Sequence, residues 1–98
     1  ILFVSLAFVP SSNNPISDDC TCKDIKLYGR VQFVESFPDF RVEVVNSFED
    51  LRVELVSSFP EKCGRWQIVQ SLPDFKVQIV TISPDFRIRY VTSFPGKN

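Results

Sequence analysis

The sequence contains no histidine, no methionine and only three glycines, and its most apolar stretch, residues 1–9, is nine residues long. Without histidine, the protein lacks the side chain that most often acts as a general base near neutral pH and as a zinc ligand. The glycines are too widely spaced for a glycine-rich phosphate-binding loop. A transmembrane helix needs roughly twenty apolar residues. These absences argue against most enzyme classes and against a transmembrane span.

The charge balance excludes a further class of partner. Eleven basic and twelve acidic residues are interspersed along the chain and give a net charge of −1. No basic stripe is present that would attract nucleic acid or anionic lipid. The length of 98 residues and the ten phenylalanines are sufficient for one domain with a packed interior.

Six near-copies of one eleven-residue phrase occupy residues 29–96, and the phrase reads approximately apolar-Arg-Val-Gln/Glu-apolar-Val-x-Ser-Phe-Pro-Asp. A two-residue insertion, Lys62-Cys63, separates the first three copies from the last three. Aligning 29–61 with 64–96 gives 16 identities in 33 positions, which indicates an internal duplication. We therefore predict a β-repeat domain over residues 24–98, built from two triplets, preceded by an arm over residues 1–23.

Each copy has the alternation of a half-buried strand. In the second copy Phe40, Val42 and Val44 share one face, and Arg41 and Glu43 share the other. No helical periodicity is present over a useful length, so we expect an all-β domain of six strand repeats. The inward face would include the single tryptophan, Trp66, for which a core role is favoured over sugar stacking.

The charges on the outward face suggest how the strands pair. Parallel stacking of successive copies would place Arg41 beside Arg52 and Glu43 beside Glu54, and like charges directly opposite each other destabilise a sheet. We therefore expect mainly antiparallel pairing. A valine recurs on this charged face in all six copies, so cover from arginine stems or from the other triplet is also expected.

Three features together resemble a known family. They are the short β repeats in two sets of three, the Gly64-Arg65-Trp66 opening of the second set, and Gly96 near the chain end. They resemble the septoil-knot domains, small bacterial proteins, over residues 24–96. The resemblance implies a chain wound into a seven-crossing knot, and it implies no activity and no functional residues.

The arm differs from the repeats in composition. The apolar stretch 1–9 is followed by the small and polar residues 10–15, an order similar to that of a secretory signal. This order predicts a secreted, periplasmic or envelope protein. The alternative is that the stretch forms an extra edge strand.

The three cysteines fit an exported protein with one disulfide. Cys63 lies in the insertion, and Cys20 and Cys22 end the arm. We expect either Cys20–Cys63 or Cys22–Cys63, with one thiol left over. A metal site is disfavoured because a fourth cysteine or a histidine is missing, and no cofactor is predicted.

Three sets of repeated residues are candidates for chemistry. The recurring acids occupy the turn position in one unit after another, so a turn role is favoured over calcium binding or acid–base catalysis. The recurring basic residues suit cross-strand ion pairs better than acidic polymers, and the phenylalanines beside the turns suit core plugs better than an exposed binding rim. The acids are Asp39, Asp50, Asp74 and Asp85; the basic residues are Arg30, Arg41, Arg52, Arg65, Lys76 and Arg87; the phenylalanines are Phe37, Phe48, Phe59 and Phe94.

The function class that remains is a non-enzymatic structural or interaction module of the envelope or exterior. The alternative is a carbohydrate- or protein-binding module that uses the phenylalanine and arginine rows. An enzyme is disfavoured because no nucleophile–base pair can be assembled from the residues present.

We predict that residues 1–15 are disordered in, or absent from, the mature protein, because nothing in the repeats matches their pattern. Amide hydrogen exchange should show little protection across 2–9. Strong protection there would favour the edge-strand alternative.

Overall fold

The computed structural model of the protein describes residues 15–98, so the signal-like stretch 1–9 and all but the last residue of the segment 1–15 lie outside the described residues. The described part contains strands and turns and no helix. The nine strands are β1 Thr21–Cys22, β2 Ile25–Lys26, β3 Gly29–Phe33, β4 Phe40–Val44, β5 Leu51–Leu55, β6 Arg65–Ile68, β7 Phe75–Ile79, β8 Phe86–Tyr90 and β9 Gly96–Lys97. Strands β3 to β8 are the six predicted repeats.

The six repeat strands form a closed parallel barrel in the order β3-β7-β4-β8-β5-β6, and β6 pairs with β3 to close it. The short β9 adds antiparallel to β5, and β1 and β2 form a separate hairpin. The all-β prediction is confirmed. The prediction of mainly antiparallel pairing is wrong, because every pairing between repeat strands is parallel.

The physical reason for this error is that the two triplets interleave. Every barrel strand pairs only with strands of the other triplet, so Arg41 is not beside Arg52. The register is also offset, and it places Glu43 opposite Arg87 and Glu54 opposite Arg65. Parallel strands therefore bring opposite charges together without the like-charge columns that successive stacking would produce.

The connections pass over the outside of the barrel, and we call them arches. In arch 34–39, Val34 N–H donates to the Val77 carbonyl at 2.9 Å, and Asp39 N–H donates to the Lys76 carbonyl at 2.9 Å. Both ends therefore bond to β7 while β3 and β4 flank it, so the arch crosses β7. The arches 45–50, 69–74 and 80–85 cross β8, β3 and β4 in the same way. The recurring valine begins each arch and is half-buried, as expected for an apolar residue that needs cover on the charged face.

The inward side chains form three layers of repeat-equivalent positions. The first two layers are buried, and the third is half-exposed. The layers are Gly29, Phe40, Leu51, Gly64, Phe75 and Phe86; then Val31, Val42, Val53, Trp66, Val77 and Ile88; then Phe33, Val44, Leu55, Ile68, Ile79 and Tyr90.

Trp66 is fully buried in the second layer, where it packs edge-on against Phe75 with ring centroids 5.7 Å apart. Its indole N–H donates to the Leu27 carbonyl at 3.1 Å. The core role predicted for Trp66 is confirmed.

Residues 16–28 close the amino-terminal end of the barrel. Ile16, Cys20, Cys22 and Leu27 belong to the same buried cluster as the first two layers. Cys20 and Cys63 form a disulfide across 43 residues, which is one of the two predicted pairings. A cross-link of this span contributes about 4 kcal/mol in the chain-entropy account. The end of the predicted arm is therefore part of the core.

The interleaving predicts that neither triplet folds alone, because no strand pairs with another strand of its own triplet. Expressed separately, 24–61 and 62–98 should show disordered far-ultraviolet spectra and no cooperative unfolding, whereas the whole chain should unfold in one transition. Cooperative unfolding of either half would contradict the single core.

Candidate functional site

The tips of the arches carry apolar side chains that face solvent. One position in each repeat unit has a positive φ between 54° and 60°, and no residue at this position is glycine. Five of the six are large and apolar, with 76–90 % of their surface exposed. The six tip residues are Phe37, Phe48, Phe59, Leu72, Ser83 and Phe94. The expectation that the phenylalanines plug the core is therefore wrong, and the exposed rim that was weighed against it is what the structure has.

This combination of conformation and exposure is costly. A non-glycine residue in the left-handed region costs roughly 1–2 kcal/mol, and a side chain that is 90 % exposed, such as Phe37, recovers almost nothing by burial. Neither packing nor backbone preference therefore explains phenylalanine at these positions. Strained residues of this kind cluster at functional sites, so the tips are the strongest candidate for the contact surface.

The four repeated aspartates fasten the arches to the strands that they cross. Asp85 N–H donates to the Arg41 carbonyl at 2.7 Å, and Arg41 N–H donates to Asp85 Oδ2 at 2.7 Å. Equivalent pairs of bonds join Asp39 to Lys76, Asp50 to Arg87 and Asp74 to Arg30. The carboxylates were expected to bond within their own turns, but they bind backbone about 40 residues away in the chain.

No candidate metal site emerges from these acids. Among residues 15–98, no group of three or more cysteine, aspartate or glutamate side chains is arranged to hold a metal ion. Within the same residues, no helix is long and apolar enough to cross a bilayer. The four repeated carboxylates accept hydrogen bonds from backbone N–H groups, so the geometry gives them a structural role. We call these four attachments clamps.

One arch departs from the pattern in a way that the sequence reading missed. Glu49 stands where the other five units have proline, and Arg89 stands where the others have glutamine or glutamate. Glu49 is buried, and Arg89 Nη2 donates to its Oε2 at 3.1 Å. This hydrogen bond, more than the charge of Arg89, holds the pKa of Glu49 below its ordinary value. The pair also places a carboxylate beside Arg89, which is directly opposite Arg52.

The recurring basic residues divide into three groups by their contacts. Arg65 and Arg87 form ion pairs with Glu54 and Glu43 at 3.3 Å and 2.9 Å, as predicted for cross-strand neighbours. Arg52 donates to the Phe94 carbonyl at 3.1 Å. In the described part of the chain, no ion pair involves the side chains of Arg30, Arg41 or Lys76, which lie on the adjacent strands β3, β4 and β7. Part of the arginine row is therefore open to a ligand.

A shallow groove of about 600 Å³ adjoins this open part of the row. It lies between the β1–β2 hairpin and the connection from β5 to β6. Its lining combines donors and acceptors with an aromatic ring, and includes Lys26, Tyr28, Arg30, Gln67 and Asp74. Such a lining can hydrogen-bond a polar ligand.

The remaining cysteine has no disulfide partner. Cys22 is a buried free thiol, and burial raises its pKa above the ordinary value. Because the thiolate is the nucleophilic form, the protonated Cys22 thiol is a poor nucleophile toward the Cys20–Cys63 disulfide at neutral pH.

The described chain is thus a closed parallel six-stranded barrel made of two interleaved triplets, with the connections arched over the outside. It matches the model of the 7(1) septoil knot domain family over residues 24–98, and it belongs to that family. Among curated proteins, none matches the chain. The family resemblance seen in the repeats is confirmed.

The Glu49–Arg89 pair predicts a specific pH dependence. Since the pKa of Glu49 is lower in the folded protein than its unfolded value of about 4.5, its stabilisation is complete above that value and is lost as the pH falls through the folded pKa. Glu49→Gln should lower the melting temperature at pH 7 and make little difference at pH 3. The exposed Glu35→Gln is the control and should match wild type at both pH values. Equal destabilisation by Glu49→Gln at pH 7 and pH 3 would contradict an ionised pair.

Proposed function

We propose that this protein is a non-enzymatic interaction module of the cell exterior or envelope, and that the aromatic arch tips contact its partner. The observation that carries the proposal is the row of exposed apolar side chains held in a left-handed conformation. A sequence under selection for stability alone would favour glycine or asparagine at such positions. The retained phenylalanines are accounted for if they make contacts outside the chain.

The way in which the arches are anchored supports this use of the tips. Four arches are clamped at an aspartate and bonded at a valine, so the residues between them project from a fixed base. Rigid aromatic side chains lose little conformational entropy on binding, which is why they dominate many contact surfaces. The barrel serves as the frame, and the arches present the contacts.

Export and a knotted chain are part of the same proposal. The Cys20–Cys63 disulfide is typical of an oxidising compartment, and the apolar stretch 1–9 resembles a secretory signal. Arches of each triplet cross strands of the other, which is the arrangement that a threaded chain requires. A threaded, disulfide-linked barrel would resist unfolding outside the cytoplasm.

Glycan binding is the second candidate, and the groove beside Arg30 favours it. Arg30 and Gln67 are directly paired across β3 and β6, and their side-chain donors border the groove together with the carboxylate of Asp74. The mixture of donors and acceptors suits sugar hydroxyls. The arch tips and the groove are separate surfaces, so an experiment can distinguish them.

The test replaces Phe37, Phe48, Phe59 and Phe94 with asparagine, which adopts the left-handed conformation more readily. The variant should fold and melt at an equal or higher temperature, since relief of strain stabilises each site by roughly 1 kcal/mol, whereas truncating core plugs would cost about 3–5 kcal/mol each. Wild type and variant are then compared on a glycan array and by cross-linking in a cell-envelope fraction. Loss of a specific cross-link in the variant supports the tips, and array binding that survives in the variant supports the groove.

Ser83 provides a matched control, because it is the one tip that is not apolar. Ser83→Asn should leave binding unchanged, and Ser83→Phe should strengthen it by adding a fifth aromatic contact. A wild-type protein that binds neither the array nor any envelope component would contradict the proposal.

A further inference from the structure

The carboxyl-terminal end of the barrel exposes a second apolar surface, distinct from the arch tips. The register pairs each third-layer residue directly with a buried second-layer residue on a neighbouring strand; Phe33 lies opposite Val77, and Leu55 lies opposite Trp66. Directly paired residues point to the same side of a sheet. The third layer therefore faces the barrel axis and forms a ring at this end, with 36–50 % of each side chain exposed.

The two ends of the barrel are treated differently. The amino-terminal end is covered by Ile16, Cys20, Cys22 and Leu27, which are all buried against the core. Among residues 15–98, none covers the carboxyl-terminal ring in a comparable way, because all six ring members remain at least about one-third exposed. An exposed set of large apolar residues at one end of a barrel marks a docking surface.

A partner or ligand that binds the ring must remain on the outer surface of the barrel. Directly below the ring, Val31, Val42, Val53, Trp66, Val77 and Ile88 are fully buried. The barrel is therefore filled by its own side chains and has no cavity for an acyl chain or another small apolar ligand.

Three observations identify the occupant. The rim residues, two positions further along each unit, are exposed and almost all uncharged: Glu35, Asn46, Ser57, Gln70, Thr81 and Thr92. The ring exposes on the order of a few hundred Å². Two copies docked ring to ring would therefore bury less than the roughly 1,200 Å² of a stable dimer interface. Five of the six ring side chains are hydrocarbon and the sixth, Tyr90, adds a single hydroxyl group, so the ring offers almost no hydrogen-bonding group that would fix the orientation of a protein partner.

We infer that this ring docks on a neutral lipid surface, with the barrel axis along the membrane normal. A lipid surface imposes no rotational orientation, and it needs no charge complement at the rim. With a net charge of −1 and no basic rim residue, the contact depends on apolar area, so anionic lipid and low salt should not strengthen it. The ring is separate from the arch tips, so the inference of lipid docking can hold or fail independently of the proposed interaction module.

The test measures co-flotation of the whole protein with phosphatidylcholine vesicles. The double variant Leu55→Gln and Ile79→Gln changes the ring, and Ile82→Gln makes the same chemical change at an exposed arch residue that is neither a ring member nor a tip. Wild type and the arch variant should partition alike, and the ring variant should bind at least tenfold less. Emission from the buried Trp66 verifies that both variants retain the fold.

The result that would overturn the inference is absence of wild-type binding to phosphatidylcholine, or equal loss of binding in the ring variant and the arch variant. Binding that appears only when phosphatidylglycerol is added, and that salt abolishes, would also overturn it. A concentration-dependent dimer that the ring variant abolishes, seen by light scattering in the absence of vesicles, would identify a second copy of the chain as the occupant instead.

Discussion

The pairing of each barrel strand exclusively with strands of the other triplet is the constraint on which the rest of the structure depends. It closes the sheet, since β6 pairs with both β5 and β3. It also determines where the connections run, because a chain that must skip one neighbouring strand to reach its next position has to pass over that strand. The arches, their clamps and their exposed tips all follow from this requirement. Cooperative stability follows too, since a triplet without its partner has no backbone ladder at all.

The register of that pairing decides the electrostatics of the outer face. Basic and acidic or amide positions of the repeat become neighbours, as in the 2.9 Å contact between Arg87 and Glu43. The one juxtaposition of like charge, Arg52 opposite Arg89, coincides with the one arch in which glutamate replaces proline. A buried ion pair contributes little when it is compared with an apolar alternative, but leaving Arg89 beside Arg52 without Glu49 would leave a repulsion unrelieved. The two departures from the repeat therefore form one compensating change.

The sequence was sufficient to predict strands, their inward faces, the duplication and the participation of Cys63 in a disulfide, because each depends on local pattern or spacing. Trp66 and the Val42 face were placed correctly for that reason. Strand direction could not be obtained in this way, since the argument from like charges assumed that neighbours in sequence are neighbours in space. The same assumption misplaced Phe37: a phenylalanine beside a turn was expected to be buried, but the crossing of its arch over β7 carries it outward. The Glu49–Arg89 pair was visible as two departures from the repeat, but their proximity required the fold.

The arch tips illustrate how a stable frame makes strained, exposed residues tolerable. In the four clamped arches, each tip lies in a conformation that a free loop would leave, and it persists because hydrogen bonds on both sides of it hold the arch against a strand of the closed barrel. In a single-layer sheet with open edges, the same phenylalanines would be free to fold back or to promote aggregation. Closure removes the edges, and the clamps fix the arch bases, so the apolar side chains remain separated and oriented outward. A frame of this kind suits a protein whose repeats present the same contact several times, because variation at a tip changes the contact without changing the pairing that holds the barrel together.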